Sequence, residues 1–150
     1  FFGSASNSGD GADGNDANGN GLSNLLDFAY GFNPDGPNSS ANSLEVSNPG
    51  PNGEITQHGG LTFWVDPATG EVFMRYARRT DYAAVGLAFT DQFSRDLTTF
   101  ENAAESPEVI ATGTGDDGIR IEAVQLKMPL VLPDSGGKAR FGRIQVQINP

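Results

Sequence analysis

The chain has 150 residues, enough for one domain that buries a core without covalent staples. It contains no cysteine, which rules out disulfides and thiolate metal sites, and no apolar run approaches the roughly 18 residues of a membrane span. A net charge of −10 argues against nucleic acid and anionic lipid as partners, and residues 1–60 hold seven acids with no Lys or Arg, which points instead to a bound cation.

In chain order, residues 1–12 read as an N-terminal arm, 13–33 as a calcium loop with its helix and 34–150 as a β-sandwich, with 13–150 forming one structural domain. The chain begins at Phe1 with no basic, apolar leader, so the expectation is a mature, exported protein. Residues 1–21 are built from Gly, Asn, Asp, Ser and Ala, apart from Phe1 and Phe2. Within that run, DANGNGLSNLLD places oxygen side chains at positions 1, 3 and 5 (Asp16, Asn18, Asn20), glycine at 6 (Gly21), a polar residue at 9 (Asn24) and a carboxylate at 12 (Asp27). Calcium takes six to eight hard oxygens, and a tightly wrapped loop supplies them from alternate residues; this is the EF-hand spacing. Gly21 permits the sharp turn, Leu22 offers its backbone carbonyl, and Asp10 and Asp13 are further candidate ligands. The competing reading is an Asx-rich turn that matches the pattern by composition. With two charged ligands in the loop, the expected affinity is that of weak extracellular modules, about 0.1–1 mM.

From Leu22 the apolar residues fall at i, i+3, i+4 and i+7 (Leu22, Leu25, Leu26, Ala29), one stripe of a short helix that Gly31 and Pro34 end. A linker rich in turn formers follows, GFNPDGPNSSANS, and it carries the only Asn-x-Ser/Thr sequon, which makes Asn38 the glycosylation candidate. The rest predicts strands. Leu61, Phe63 and Val65 alternate before the turn DPATGE, and Val72, Met74 and Tyr76 alternate after it, as a hairpin requires. Further runs of period two lie at Val85, Leu87, Phe89, at Ile119, Ile121, Ala123 and at Ile144, Val146, Ile148. Short strands are expected near Leu44 to Ser47, Glu54 to Gln57 and Glu108 to Thr112. About eight strands at short spacing predict a mainly β fold, an antiparallel sandwich with one short N-terminal helix after the EF-hand-like loop.

The Asp at the twelfth loop position and the lack of a helix before the loop resemble dockerin modules and thrombospondin type 3 repeats. DANGNGLSNLLDFAYGFNP followed by FMRYARRTDYAAVGLAFTDQFSRDLTTFE resembles a module found at the carboxyl end of large secreted proteins of planctomycete and verrucomicrobial bacteria. There a DGDGLSNLLEYALG-like calcium segment precedes a small β-sandwich with a YRR-like strand and a DLxxW turn. Arg78 and Arg79 occupy the paired basic positions, Asp96 and Leu97 the turn, and Phe100 stands where Trp is usual; ARFGRIQVQ resembles the closing strand. The resemblance spans roughly residues 13–148 and implies an exported, non-catalytic surface or assembly role. That module usually trails a much larger protein, whereas here about twelve residues precede the loop, so the expectation is a module that stands alone. Phe1 and Phe2 are then either an anchor buried in the next subunit or an arm folded back on its own domain. An anchor makes a head-to-tail contact that does not close and therefore builds a helical filament. The expected function is a calcium-stabilised extracellular structural subunit, partnered by copies of itself. A carbohydrate-binding or cell-surface attachment module is the alternative.

Other residues carry less. His58, alone in QHGG, reads as a surface turn residue, since a lone His makes a poor metal site. Ser135 and the Asp116, Asp117 pair have no partner motif for catalysis. Arg75, Arg78 and Arg79 make a cationic strand that pairs either within the domain or with a neighbour's acidic end. Trp64 is either an exposed sugar platform or part of a buried face.

Overall fold

The computed structural model describes residues 8–37 and 40–149; Phe1, Phe2 and Asn38 lie outside the described residues. Among the described residues one α-helix, α1 (Asn24–Tyr30), precedes nine strands: β1 (Glu45–Ser47), β2 (Glu54–Gln57), β3 (Thr62–Val65), β4 (Val72–Arg79), β5 (Leu87–Ser94), β6 (Phe100–Asn102), β7 (Glu108–Thr114), β8 (Arg120–Lys127) and β9 (Phe141–Ile148). They form a six-stranded sheet in the order β1-β2-β7-β8-β4-β3 and a three-stranded sheet in the order β6-β5-β9. The fold is mainly β and consistent with the expected sandwich. Every named pairing is antiparallel except β2 with β7, which run parallel through Glu54 opposite Thr112.

The β3–β4 hairpin forms as the sequence predicts. Asp66 and Glu71 close the turn through Asp66 N–H to Glu71 O at 2.8 Å, the Asp66 carboxylate accepts Ala68 N–H at 2.8 Å, and Gly70 takes φ 73°. Phe63 then opposes Met74 and Val65 opposes Val72. Three details differ from expectation. Phe100–Asn102 is a ninth strand, too short for alternation to reveal. Val85 lies in a turn, its N–H held by Asp81 O at 3.1 Å, and β5 starts only after Gly86 turns at φ 79°. Phe63 and Val65 stay 45% and 55% exposed, because β3 is the edge of its sheet.

The larger sheet buries both faces of β4 and β8. One face, with Met74, Tyr76, Val124 and Leu126, meets α1 and the smaller sheet. The other closes on itself as the sheet curls, and the space is narrow enough that alanines fill it: Ala77, Ala111 and Ala123 pack with Leu44, Ile110 and Ile121. The same crowding explains Gly113, where a Cβ would stand 2.9 Å from the Ile55 side chain.

One acid breaks the apolar interior. Asp91 is in phase with Leu87 and Phe93 on the inward side of β5 and is buried with them. Tyr76 of β4 turns its hydroxyl toward Asp91 without full hydrogen-bond geometry; Arg78 of β4 is the other ionisable group acting on it, and the Asp91 charge adds to burial in raising the pKa of Tyr30 on α1. Burial raises the Asp91 pKa above its ordinary 3.8, with Tyr76 and Arg78 opposing. The folded chain therefore holds the proton to higher pH than the unfolded chain. The ionised group costs most stability near neutrality, and that cost is relieved as pH falls through the folded value toward 3.8. Asp91→Asn is thus expected to stabilise the domain at pH 7 by about 1 kcal/mol, a gain that shrinks toward pH 4. Urea unfolding of both proteins at the two pH values checks this, and an equal gap at both would contradict it.

Candidate functional site: the Asp16–Asp27 loop

The loop is held shut by Asx turns. The Asp16 carboxylate accepts the N–H groups of Asn20 and Gly21 at 3.0 and 2.8 Å, Asn18 Oδ1 accepts Asn20 N–H at 3.1 Å, and Asn20 Oδ1 accepts Leu22 N–H at 2.7 Å. Gly19 and Gly21 adopt φ of 70° and 90°, which glycine reaches without steric cost. Ser23 then caps α1, its hydroxyl accepting Leu26 N–H at 3.4 Å. Asp27 sits one turn into the helix.

Asp27 is fully buried, and its two oxygens accept from Asn18 Nδ2 at 3.0 Å and Asn20 Nδ2 at 2.7 Å. Asn18 Nδ2 also reaches the carbonyls of Asn33 and Gly36 at 3.2 and 3.1 Å, so one amide ties the loop to the chain beyond the helix. Burial is the main cause that raises the Asp27 pKa; the two amides lower it, and the charges of Asp16 and Asp116 raise it further. Among the described residues, no Lys or Arg forms an ion pair with Asp16 or Asp27.

Four of the expected ligands, Asp16, Asn18, Asn20 and Asp27, therefore join in one hydrogen-bonded cluster. Among the described residues no three carboxylate, imidazole or thiol side chains converge, so a cation here would depend on carboxamide oxygens as well as the two acids. That donor set is hard and suits calcium. Both amides meet Asp27 through Nδ2, and a half-turn about χ2 exchanges Nδ2 for Oδ1 at the same place.

Asn24 does something else. Its buried amide donates to the carbonyls of Asp10 and Ala12 at 2.7 and 2.8 Å, and its Oδ1 accepts Ala17 N–H at 3.2 Å. It fastens the arm to the loop. Asp10 and Asp13 likewise enter through their backbones, Asp13 O accepting Leu25 N–H at 3.1 Å. Asn15 Nδ2 bonds Gly9 O and draws the arm's 3-10 turn, Gly9–Gly11, onto the loop.

The C-terminal end of α1 is fixed by residues that no local pattern marks. Gly31 turns at φ 81°; its carbonyl accepts Asp116 N–H at 2.9 Å, and Asp116 Oδ2 accepts Asn33 N–H at 3.0 Å. His58 is not a surface turn residue: it is half-buried, stacks on Phe32 with ring centroids 4.0 Å apart, and places Nε2 3.0 Å from Tyr30 O. Burial lowers its pKa, which favours the neutral ring, with Nε2–H donating to that helix-end carbonyl.

The other candidates are used within the domain. Arg78 pairs with Glu122 at 2.8 Å, Arg79 grips both oxygens of Asp81, and Arg75 donates to Gln125 while its guanidinium lies 3.9 Å from the Trp64 ring centre. Tyr76 is buried, and the Ser135 N–H donates to Glu101 in a surface loop. Comparison of the chain with protein-family models, with curated proteins and with solved structures finds no match.

Proposed function

We propose that this protein is a non-enzymatic extracellular structural protein, a calcium-stabilised β-domain that joins copies of itself head to tail through its N-terminal arm. The observation that carries the calcium reading is the buried Asp27 carboxylate, gathered with Asp16, Asn18 and Asn20 and given no cationic partner by the described chain. Calcium would be held by those four side chains and the Leu22 carbonyl, and would supply the positive charge that Asp27 lacks. The arm belongs to the same unit through Asn24 and Asn15, so ordering the loop also orders the base of the arm. Phe1 and Phe2, at the arm's far end, are the anchor in this reading. The sugar-binding alternative has less support: Tyr76 is buried, and a guanidinium covers the Trp64 ring.

Two measurements test the reading. At calcium ten times the dissociation constant, a single site adds about 1.4 kcal/mol, which should raise the melting temperature of a domain this size by about 3–5 °C over the chelated protein. Negative-stain electron microscopy with calcium and then with EGTA should show filaments that fray on chelation. Identical melting with and without calcium would remove the ion from the account, and dispersed monomers in both conditions would remove the fibre.

A further inference from the structure

One edge of the sandwich lacks the usual guards. A strand edge offers unpaired N–H and C=O groups to other chains, and folded proteins blunt such edges with short strands, bulges, Pro or charge. Of the four sheet edges, β1 and β6 have three residues each and β3 has four, and β1 is broken further by a register shift at Glu45 and Val46. The fourth, β9, runs for eight residues in unbroken register with β5 and contains no Pro. Its one charged residue does not guard it. The Arg143 side chain reaches back across β5, donating to Gln92 Oε1 at 2.8 Å and lying 3.7 Å from the Phe100 ring centre on β6.

The free side of β9 follows from its register. Asn149 N–H donates to Gly86 O at 2.6 Å, in line with the pairing of Leu87 and Ile148, so the backbone groups of the odd-numbered residues of β9 meet β5. Those of Gly142, Ile144, Val146 and Ile148 point outward, and among the described residues no strand, loop or side chain bonds them. The same four residues face inward with their side chains: Ile144 and Val146 pack against the core, and a Cβ on Gly142 would stand 3.3 Å from Phe63 Cε1. There β9 meets the β3 edge of the other sheet, where Phe63 and Val65 are half-exposed and leave the open side of the sandwich apolar.

We infer that two copies of the chain join β9 to β9 antiparallel about a two-fold axis, with Gln145 opposite Gln145 of the second copy. This register uses the whole edge. Ile144 meets Val146 of the second copy and Gly142 meets Ile148, each pair exchanging both backbone bonds, whereas a slip of two residues leaves Gly142 or Ile148 unpaired. On the outer face Arg143 comes opposite Gln147, so no like charges are opposed. Charge also favours the antiparallel order, although each chain carries a net −10. Residues 135–150 hold Lys138, Arg140 and Arg143 and no acid, so β9 starts basic. Its end lies beside the acidic N-terminal segment, since Ile148 shares a hollow with Gly11 and Asn24 and residues 1–60 contain no Lys or Arg. The two-fold axis sets each basic start beside the acidic end of the other copy. Such an isologous contact closes at two copies. It is separate from the arm contact proposed above and needs neither calcium nor residues 1–7; the two contacts together build a fibre of paired chains.

The test uses the full-length protein in EGTA, where the arm contact is expected to loosen, and sedimentation velocity should show dimers. The chain has no cysteine, so Gln145→Cys at this exposed position introduces a single thiol. Directly opposed residues of a non-hydrogen-bonded pair hold their Cα atoms about 4.5 Å apart, within disulfide reach, so mild oxidation should give a covalent dimer. Gln147→Cys, on the same exposed face, comes opposite Arg143 and should stay unlinked. Gln145→Lys and Gln145→Glu each set like charges face to face and should weaken the dimer severalfold, and mixing the two variants should restore it. Wild-type monomers in EGTA, or equal cross-linking at 145 and 147, overturn the pairing; multimers that then appear only in calcium leave the arm reading standing. Dimers that dissolve when residues 1–7 are removed assign the joint to the arm instead. Dimers that survive that removal, in a protein that forms nothing longer with calcium, keep the β9 pair and sink the arm.

Discussion

Replacing Gly31 with alanine is expected to cost about 3 kcal/mol. Two terms add. The residue stands at φ 81°, where a Cβ costs about 1 kcal/mol, and that Cβ would lie 2.5 Å from Ile121 Cγ2, an atom of a fully buried side chain that has nowhere to retreat. Gly31 also carries the link between the helix and the β7–β8 turn, since its carbonyl accepts Asp116 N–H. A control separates the terms: Gly70 has nearly the same φ, 73°, with nothing within 4 Å of its would-be Cβ, so Gly70→Ala should cost about 1 kcal/mol. Urea unfolding of the pair measures the difference. Equal losses would mean that contact with Ile121 is not what the glycine serves.

Gly31 also shows where sequence reasoning stops. That a helix ends there was legible, because Leu22, Leu25, Leu26 and Ala29 mark the stripe and glycine follows it; all four pack into the core around Tyr76. What the helix end docks against was not legible, since Ile121, Asp116 and His58 come from distant strands and turns and carry no local signature. The β3–β4 hairpin could be read because its turn chemistry and both alternating strands lie in one short stretch, Thr62 to Arg79. The parallel β2–β7 pairing and the division into two sheets depend on contacts between segments about fifty residues apart. Asp91 had a usable signal, an acid in phase with Leu87, Phe89 and Phe93, and that phase alone predicts burial. In the loop, spacing identified the cluster of Asp16, Asn18, Asn20 and Asp27. The same spacing did not reveal that Asn24 faces the arm, because the carbonyls of Asp10 and Ala12 come within reach only when the arm folds back.

Asp27→Asn should separate the calcium reading from a purely structural loop by making two effects of opposite sign. The side chain is fully buried, burial and the charges of Asp16 and Asp116 disfavour its ionised form, and its partners are neutral amides. An unpaired buried charge costs stability, and an amide of the same shape removes that cost while keeping one acceptor for Asn18 or Asn20. In EGTA the variant should therefore unfold at the same temperature as the wild type or a few degrees higher. Calcium reverses the order, because the wild-type carboxylate gains a divalent partner and the amide does not; with one loop charge left, affinity should fall at least tenfold and the calcium-induced rise in melting temperature should vanish. Asp16→Asn offers a comparison at the exposed end of the loop, where the lost charge was never desolvated, so it should weaken calcium binding without the gain in EGTA. Melting curves across a calcium titration, with the heat of binding measured alongside, give the readout. Wild-type and Asp27→Asn curves that cross as calcium rises place the ion at Asp27. Parallel curves, or a variant that keeps the full calcium response, make the loop an Asx-built clasp for the arm and send the search for the cation elsewhere.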